Sequence, residues 1–211
     1  MRLSNRFEKH VLVAAAVAMG ATAAANAAVV YSGIVNFSCA IDLDGTYINV
    51  QTNQLSSGPG SGVPGWDVNP YRAATGSGMN FFSPTGGGMV SAAAGVGSAI
   101  NLSAGTLIGA SSNFSRDTST IVFGSGAGQW QYASNNIVGF RFVSSAGTTH
   151  YGWMRFLMGS QPATGNLVTR TVVDFGYESV AGESIAAGAV PAPGALALLG
   201  VAGLAGKRRR R

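Results

Sequence analysis

The sequence predicts an all-β fold, an antiparallel two-sheet sandwich or jelly roll flanked by an N-terminal signal helix and a short C-terminal hydrophobic helix. Three observations predict it. The segment from 28 to 189 is rich in Gly, Ser, Thr, Asn and Ala and poor in Lys and Glu, which is weak material for amphipathic helices. Apolar residues recur there with a period of two, the spacing that places alternate side chains on opposite faces of a strand. Gly and Pro clusters punctuate these runs at short intervals, as turns between strands do. The length suits one domain with its own core. A parallel β-solenoid fits less well, because no short repeat of fixed period occurs.

Taken in order, residues 28–37 and 45–51 give two early strands. A Gly- and Pro-rich passage from 56 to 75 follows, interrupted by Gly65-Trp66-Asp67-Val68-Asn69-Pro70-Tyr71. It reads as a loop with aromatic anchors. Residues 79–82, 100–108 and 119–123 supply further short strands, with turns at Gly86-Gly87-Gly88 and residues 95–97. The clearest part is 137–179. Val138, Phe140 and Phe142 alternate with Gly139 and Arg141, Ser144 to Gly147 form a hairpin loop, and Tyr151, Trp153, Arg155 and Leu157 oppose Gly152, Met154, Phe156 and Met158. In the third strand Val173, Phe175 and Tyr177 are expected on one face, with Val172 and Asp174 on the other. These three strands form an antiparallel meander.

Charge is distributed unevenly. Arg2, Arg6 and Lys9 lie at the start and Lys207 to Arg211 at the end, while the central segment holds five arginines against seven carboxylates, a net charge of −2. The basic balance of the whole chain therefore belongs to its ends, and the fold carries no basic stripe for nucleic acid. Cys39 is the sole cysteine, so no intramolecular disulfide forms, and a buried thiol is expected.

Catalytic patterns are weak. His150 is the one histidine of the central segment, a Gly-x-Ser-x-Gly elbow is missing, and one His with one Cys cannot build an ordinary zinc site. Asp174, Glu178 and Glu183 are the candidates for a glycosidase pair, but Glu178 and Glu183 fall where a strand runs into Ala/Gly-rich chain, which predicts solvated surface. Asp42-Leu43-Asp44-Gly45 is half a calcium loop and reads more simply as an Asx-type turn. The expectation is a non-enzyme without cofactor or metal. Trp153 is expected in the core. Trp66, in the Gly/Pro loop, is the expected exposed platform, and with Tyr71 it is the candidate glycan contact.

The two ends carry addresses. Residues 1–27 read as a signal peptide: a cationic start, an apolar Ala-rich run, and Ala25 and Ala27 at −3 and −1, placing cleavage by signal peptidase before Ala28. At the other end, residues 190–211 run Val190-Pro191-Ala192-Pro193-Gly194, then a small-residue apolar stretch, then Lys207-Arg208-Arg209-Arg210-Arg211. A spanning helix needs about 20 apolar residues, so this shorter stretch would anchor poorly. The basic end should stay cytoplasmic, leaving everything before Val190 on the far side of the membrane.

This three-part tail resembles a PEP-CTERM sorting signal of Gram-negative exopolysaccharide producers, with Ala192 where the commonest version has Glu. The resemblance implies recognition by an exosortase, transient anchoring in the inner membrane, and a mature domain at the cell surface or outside the cell, associated with exopolysaccharide or biofilm. Segments such as Val30-Tyr31-Ser32-Gly33 and His150-Tyr151-Gly152-Trp153 also resemble a group of PEP-CTERM ectodomains, a likeness that brings no catalytic residue with it. A secreted carbohydrate-binding or glycan-degrading module is the alternative.

Overall fold

A computed structural model describes residues 28–59, 62–72, 78–92, 97–116, 119–163 and 167–191. The expected signal helix with Ala25 and Ala27, the expected C-terminal helix, and the tail residues from Ala192 through Gly194 to the basic end lie outside the described residues.

The fold is all-β, with every named strand pair antiparallel. Strands β11 (Asn135–Val143), β12 (Thr149–Met158) and β13 (Arg170–Glu178) form the expected meander. The hairpin loop closes as Gly147 N and Ser144 N donate to Ser144 O and Thr148 O, both at 2.8 Å. Around this meander a principal sheet is ordered β1-β13-β12-β11-β7-β9, from β1 (Val29–Tyr31), β7 (Gly88–Val90) and β9 (Phe114–Ser115), and β2 (Phe37–Ser38) also pairs with β13.

Both faces of this sheet are covered. Alternation on β12 sends Met154 and Phe156 to one side and Tyr151 and Trp153 to the other. The first side joins Val138, Phe140, Phe142 and Phe175 in the larger core cluster, with Ile48 and Phe81 brought by two smaller sheets. Those sheets are β3 (Thr46–Asn49) with β4 (Gln54–Ser57), and β5 (Asn69–Tyr71) with β6 (Asn80–Phe82) and β10 (Ser119–Thr120). On the far side Trp153 and Tyr151 meet Ile108 and Ile185 from the ladder of β8 (Leu107–Ile108) and β14 (Ile185–Ala186). The sandwich thus has an added layer, which the short β8 and β14 supply.

Trp153 is fully buried, as expected of a packing residue. Its neighbours in register are Gly139 on β11 and Gly176 on β13, so the indole lies in a trough between two positions without side chains. Its Nε1–H donates to Ala189 O at 2.9 Å, and Tyr31 stacks on it with centroids 6.2 Å apart. The second buried indole, Trp130, likewise donates to Ala99 O at 2.9 Å. Neither indole N–H is left unpaired in the core, as burial of a donor requires.

The structure corrects several expectations. Val172, not Val173, shares the core face with Phe175. The register with β12 passes from Arg155↔Asp174 to Phe156↔Val172, so Val173 is an extra residue in a bulge that reverses the alternation. The single strand expected over 28–37 breaks opposite this bulge: Val35 N and Asn36 N both donate to Val173 O, at 2.8 and 3.2 Å, while Gly33 and Asn36 take positive φ. The strand expected over 100–108 shrinks to β8, because Gly105 turns at φ +85° and the Asn101 side chain accepts from Ile137 N at 3.0 Å.

Cys39 is buried in the larger core cluster, and burial pushes its thiol up to about 11. Beside it, Arg170 is 1% exposed. Its guanidinium donates to Ala40 O, to Gly78 O at 2.9 Å and to Tyr71 O at 3.4 Å, gathering three chain segments at one point. Desolvation pulls its pKa below the ordinary arginine value.

Candidate functional site

Trp66 and Asp67 sit on a loop docked along β3. Asp67 N donates to Ile48 O at 2.8 Å, and Ile48 N donates to Val68 O at 3.0 Å. The Asn49 amide donates to Pro64 O and Gly65 O at 2.9 and 3.0 Å, fixing the turn in which Gly65 adopts φ +67°. The chain thereby presents Trp66 over the smaller sheets. The indole is half-buried rather than freely exposed: Tyr47 meets it edge-on at 5.0 Å and Phe82 at 6.0 Å between centroids. A loop aromatic finds such neighbours once β3 and β6 converge.

Next to the indole is a cavity of about 340 Å³, lined by Trp66, Asp67, Pro84, Thr85, Phe142 and Val143 among others. It combines an aromatic surface, a hydroxyl and a carboxyl, the mixture by which small polar ligands are oriented against apolar walls. Tyr71 is not part of that lining. It lies on β5, where its hydroxyl accepts from the Asn80 amide at 3.4 Å and its carbonyl from Arg170. The structure therefore separates the two residues proposed from sequence and replaces Tyr71 by Asp67, which adjacency to Trp66 could have suggested.

Asp67 is 5% exposed, and Val50 N donates to its Oδ2 at 2.9 Å. Burial pushes its carboxyl from 3.8 up to about 7, the Val50 hydrogen bond pulling the other way. The fold holds this proton more tightly than the unfolded chain does. Protonated Asp67 thus contributes stability in full below the unfolded value, and the contribution is lost as pH rises through about 7. Urea unfolding is expected to show a loss on the order of 2 kcal/mol between pH 5 and pH 8. Asp67→Asn should flatten that profile, and an unchanged slope in the variant would refute the assignment.

A second cleft, about 500 Å³, is bordered by Phe123, Ser125, Gln131, Tyr132 and Gln161. Phe123 and Tyr132 stack with centroids 3.7 Å apart and planes 7° from parallel.

The titratable groups weighed for catalysis are held in other contacts. His150 is 8% exposed; its Nδ1–H donates to Glu178 O at 2.9 Å, which leaves Nε2 to accept from the Thr148 hydroxyl at 3.0 Å. Asp174, 1% exposed, pairs with Arg155 at 2.9 Å and accepts from the Tyr31 hydroxyl at 2.8 Å. Glu178 was expected in solvent and is instead 3% exposed. The donors that bury it are Ala28 N, Ser179 Oγ and Val180 N, and the first lies far away in sequence. Asp42 Oδ1 accepts from Gly45 N at 2.6 Å, closing the Asx turn, while Asp44 Oδ1 accepts from the Tyr47 hydroxyl at 2.9 Å. Among the described residues no group of three or more His, Cys, Asp and Glu is placed to hold a metal ion.

Compared with protein-family models, curated proteins and solved structures, the chain matches none.

Proposed function

We propose that the chain is an exported, non-catalytic cell-surface or extracellular-matrix protein, processed by signal peptidase and an exosortase and working alongside exopolysaccharide. The observation that carries this reading is the three-part sequence of Pro motif, short apolar run and basic end, beginning at Val190, directly after the last residue tied into the core. Ala189 is held by the Trp153 indole, whereas Val190 is half exposed. A processing enzyme would meet Val190 and Pro191 outside the packed sheet. The commitment of His150, Asp174 and Glu178 to structural contacts also supports a non-enzyme.

Mass spectrometry of the purified protein's C terminus tests it. In an exosortase-positive host the chain is expected to end near Pro191 to Pro193, and in the exosortase deletion to retain Arg211. Identical C termini in both hosts would sink the proposal.

The Trp66 cavity favours a second reading, a carbohydrate-binding module. Sugar rings stack on flat aromatic faces, and Asp67 and Thr85 supply polar partners. Trp66→Ala is expected to weaken glycan binding at least tenfold by calorimetry, roughly the loss of one aromatic contact. Equal affinity of the variant would remove this reading.

A further inference from the structure

The buried Glu178 carboxylate ends β13 beside the first described residue of the chain. Val29 pairs in register with Glu178, Ser179 N donates to Ala28 O at 3.0 Å, and Ala28 N donates to Glu178 Oε1 at 2.9 Å. The acceptor is preorganised without help from the N terminus: Val180 N donates to the same Oε1 at 3.0 Å, Ser179 Oγ lies at 3.4 Å, and His150 fixes the Glu178 carbonyl. A carboxylate 3% exposed thus accepts from two backbone nitrogens, Val180 N beside it and Ala28 N from the other end of the domain.

We propose that Glu178 is the docking site for the α-ammonium group that cleavage between Ala27 and Ala28 creates, so that processing converts an amide–carboxylate hydrogen bond into an ion pair between the exposed Ala28 nitrogen and a buried carboxylate. The proposal rests on the export reading above. Before cleavage, Ala28 N is a peptide amide with one proton. Hydrolysis of the Ala27–Ala28 bond adds water across it, leaving a carboxylate on Ala27 and an ammonium with three donors on Ala28. The nitrogen already lies within the distance of a charge-assisted hydrogen bond, so no chain movement is needed. The consequence falls on β1, an outer strand of three residues that would otherwise fray as terminal strands do.

The sequence provides a clean readout. No lysine occurs between Ala28 and Gly206, so the α-amine is the sole primary amine of the folded segment. The exported, processed protein is treated with an N-hydroxysuccinimide acetate ester, and the N-terminal peptide is followed by mass spectrometry. The folded wild type is expected to acylate about tenfold more slowly than Glu178→Gln, because a neighbouring carboxylate keeps an amine protonated. Acylated wild type should melt about 3 °C lower, the scale of one such contact in a domain of this size. Acylation should leave the Tm of Glu178→Gln unchanged. The wild-type comparison stands by itself if the variant does not fold. Equal labelling rates, or a wild-type Tm indifferent to acylation, with Ala28 as the first residue, would overturn the proposal alone. A different first residue would overturn the cleavage reading and the proposal together.

Discussion

Arg170→Ala is expected to destabilise the domain by about 4 kcal/mol, the range for breaking a buried charged hydrogen-bond cluster and leaving a cavity. The reason is its position. The guanidinium is almost wholly out of water and satisfies the carbonyls of Ala40, Tyr71 and Gly78. Alanine would leave these acceptors with no donor where water cannot easily reach, and would detach three chain segments from one another. Arg170→Met keeps much of the volume but none of the donors, so it separates the two terms and should lose roughly half as much by the same reasoning. Arg170→Lys retains charge without the planar fork and should fall between wild type and Ala. Urea unfolding monitored by tryptophan fluorescence measures all three. A loss below about 1 kcal/mol for Ala would show that relaxation or water satisfies the carbonyls.

Gly45→Ala is expected to cost about 3 kcal/mol, combining left-handed backbone strain with overpacking. Gly45 has φ +81°, and a Cβ built there would lie 2.5 to 2.6 Å from Asn69 Oδ1, Pro70 O and Tyr71 Cβ. Two of these belong to the backbone or its first side-chain atom, which cannot swing aside. The turn that Gly45 closes is held by Asp42 through its own N–H, so the defect should reach the start of β3 and its pairing with β4. Thermal melts with calcium and with chelator should give the same loss, because the Asp42 and Asp44 carboxylates serve the turn. A calcium-dependent difference would reopen the metal reading of this segment.

The meander and its hairpin were legible in the sequence because long strands write their alternation over many residues, and Trp153 shared that register with the core. Strands such as β8 and β14 span two residues each, too few to carry a period. The bulge at Val173 leaves no mark either, since Val172 and Val173 are the same residue type and only the partner strand decides which turns inward. Glu178 misled for a related reason: its local surroundings are those of a solvated chain end, while its partner Ala28 comes from the opposite end of the domain. Of the candidate site, Trp66 was found from its loop composition. Asp67 was missed, because its burial arises only when its loop docks along β3, and Tyr71 was drawn in by proximity along the chain alone.

The bond from the Trp153 indole to Ala189 also determines how the domain would bear tension. A pull applied at Val190 reaches Ala189, where the indole bond ties it to β12 of the principal sheet, and passes along the backbone to the two-residue ladder of β14 on β8. That ladder is short and antiparallel, so it can peel away step by step while the β11, β12 and β13 pairings stay intact. Loaded through Val190, the domain would therefore be expected to give up one indole hydrogen bond and a two-residue ladder, a mechanical fuse, before its long strand pairings are touched.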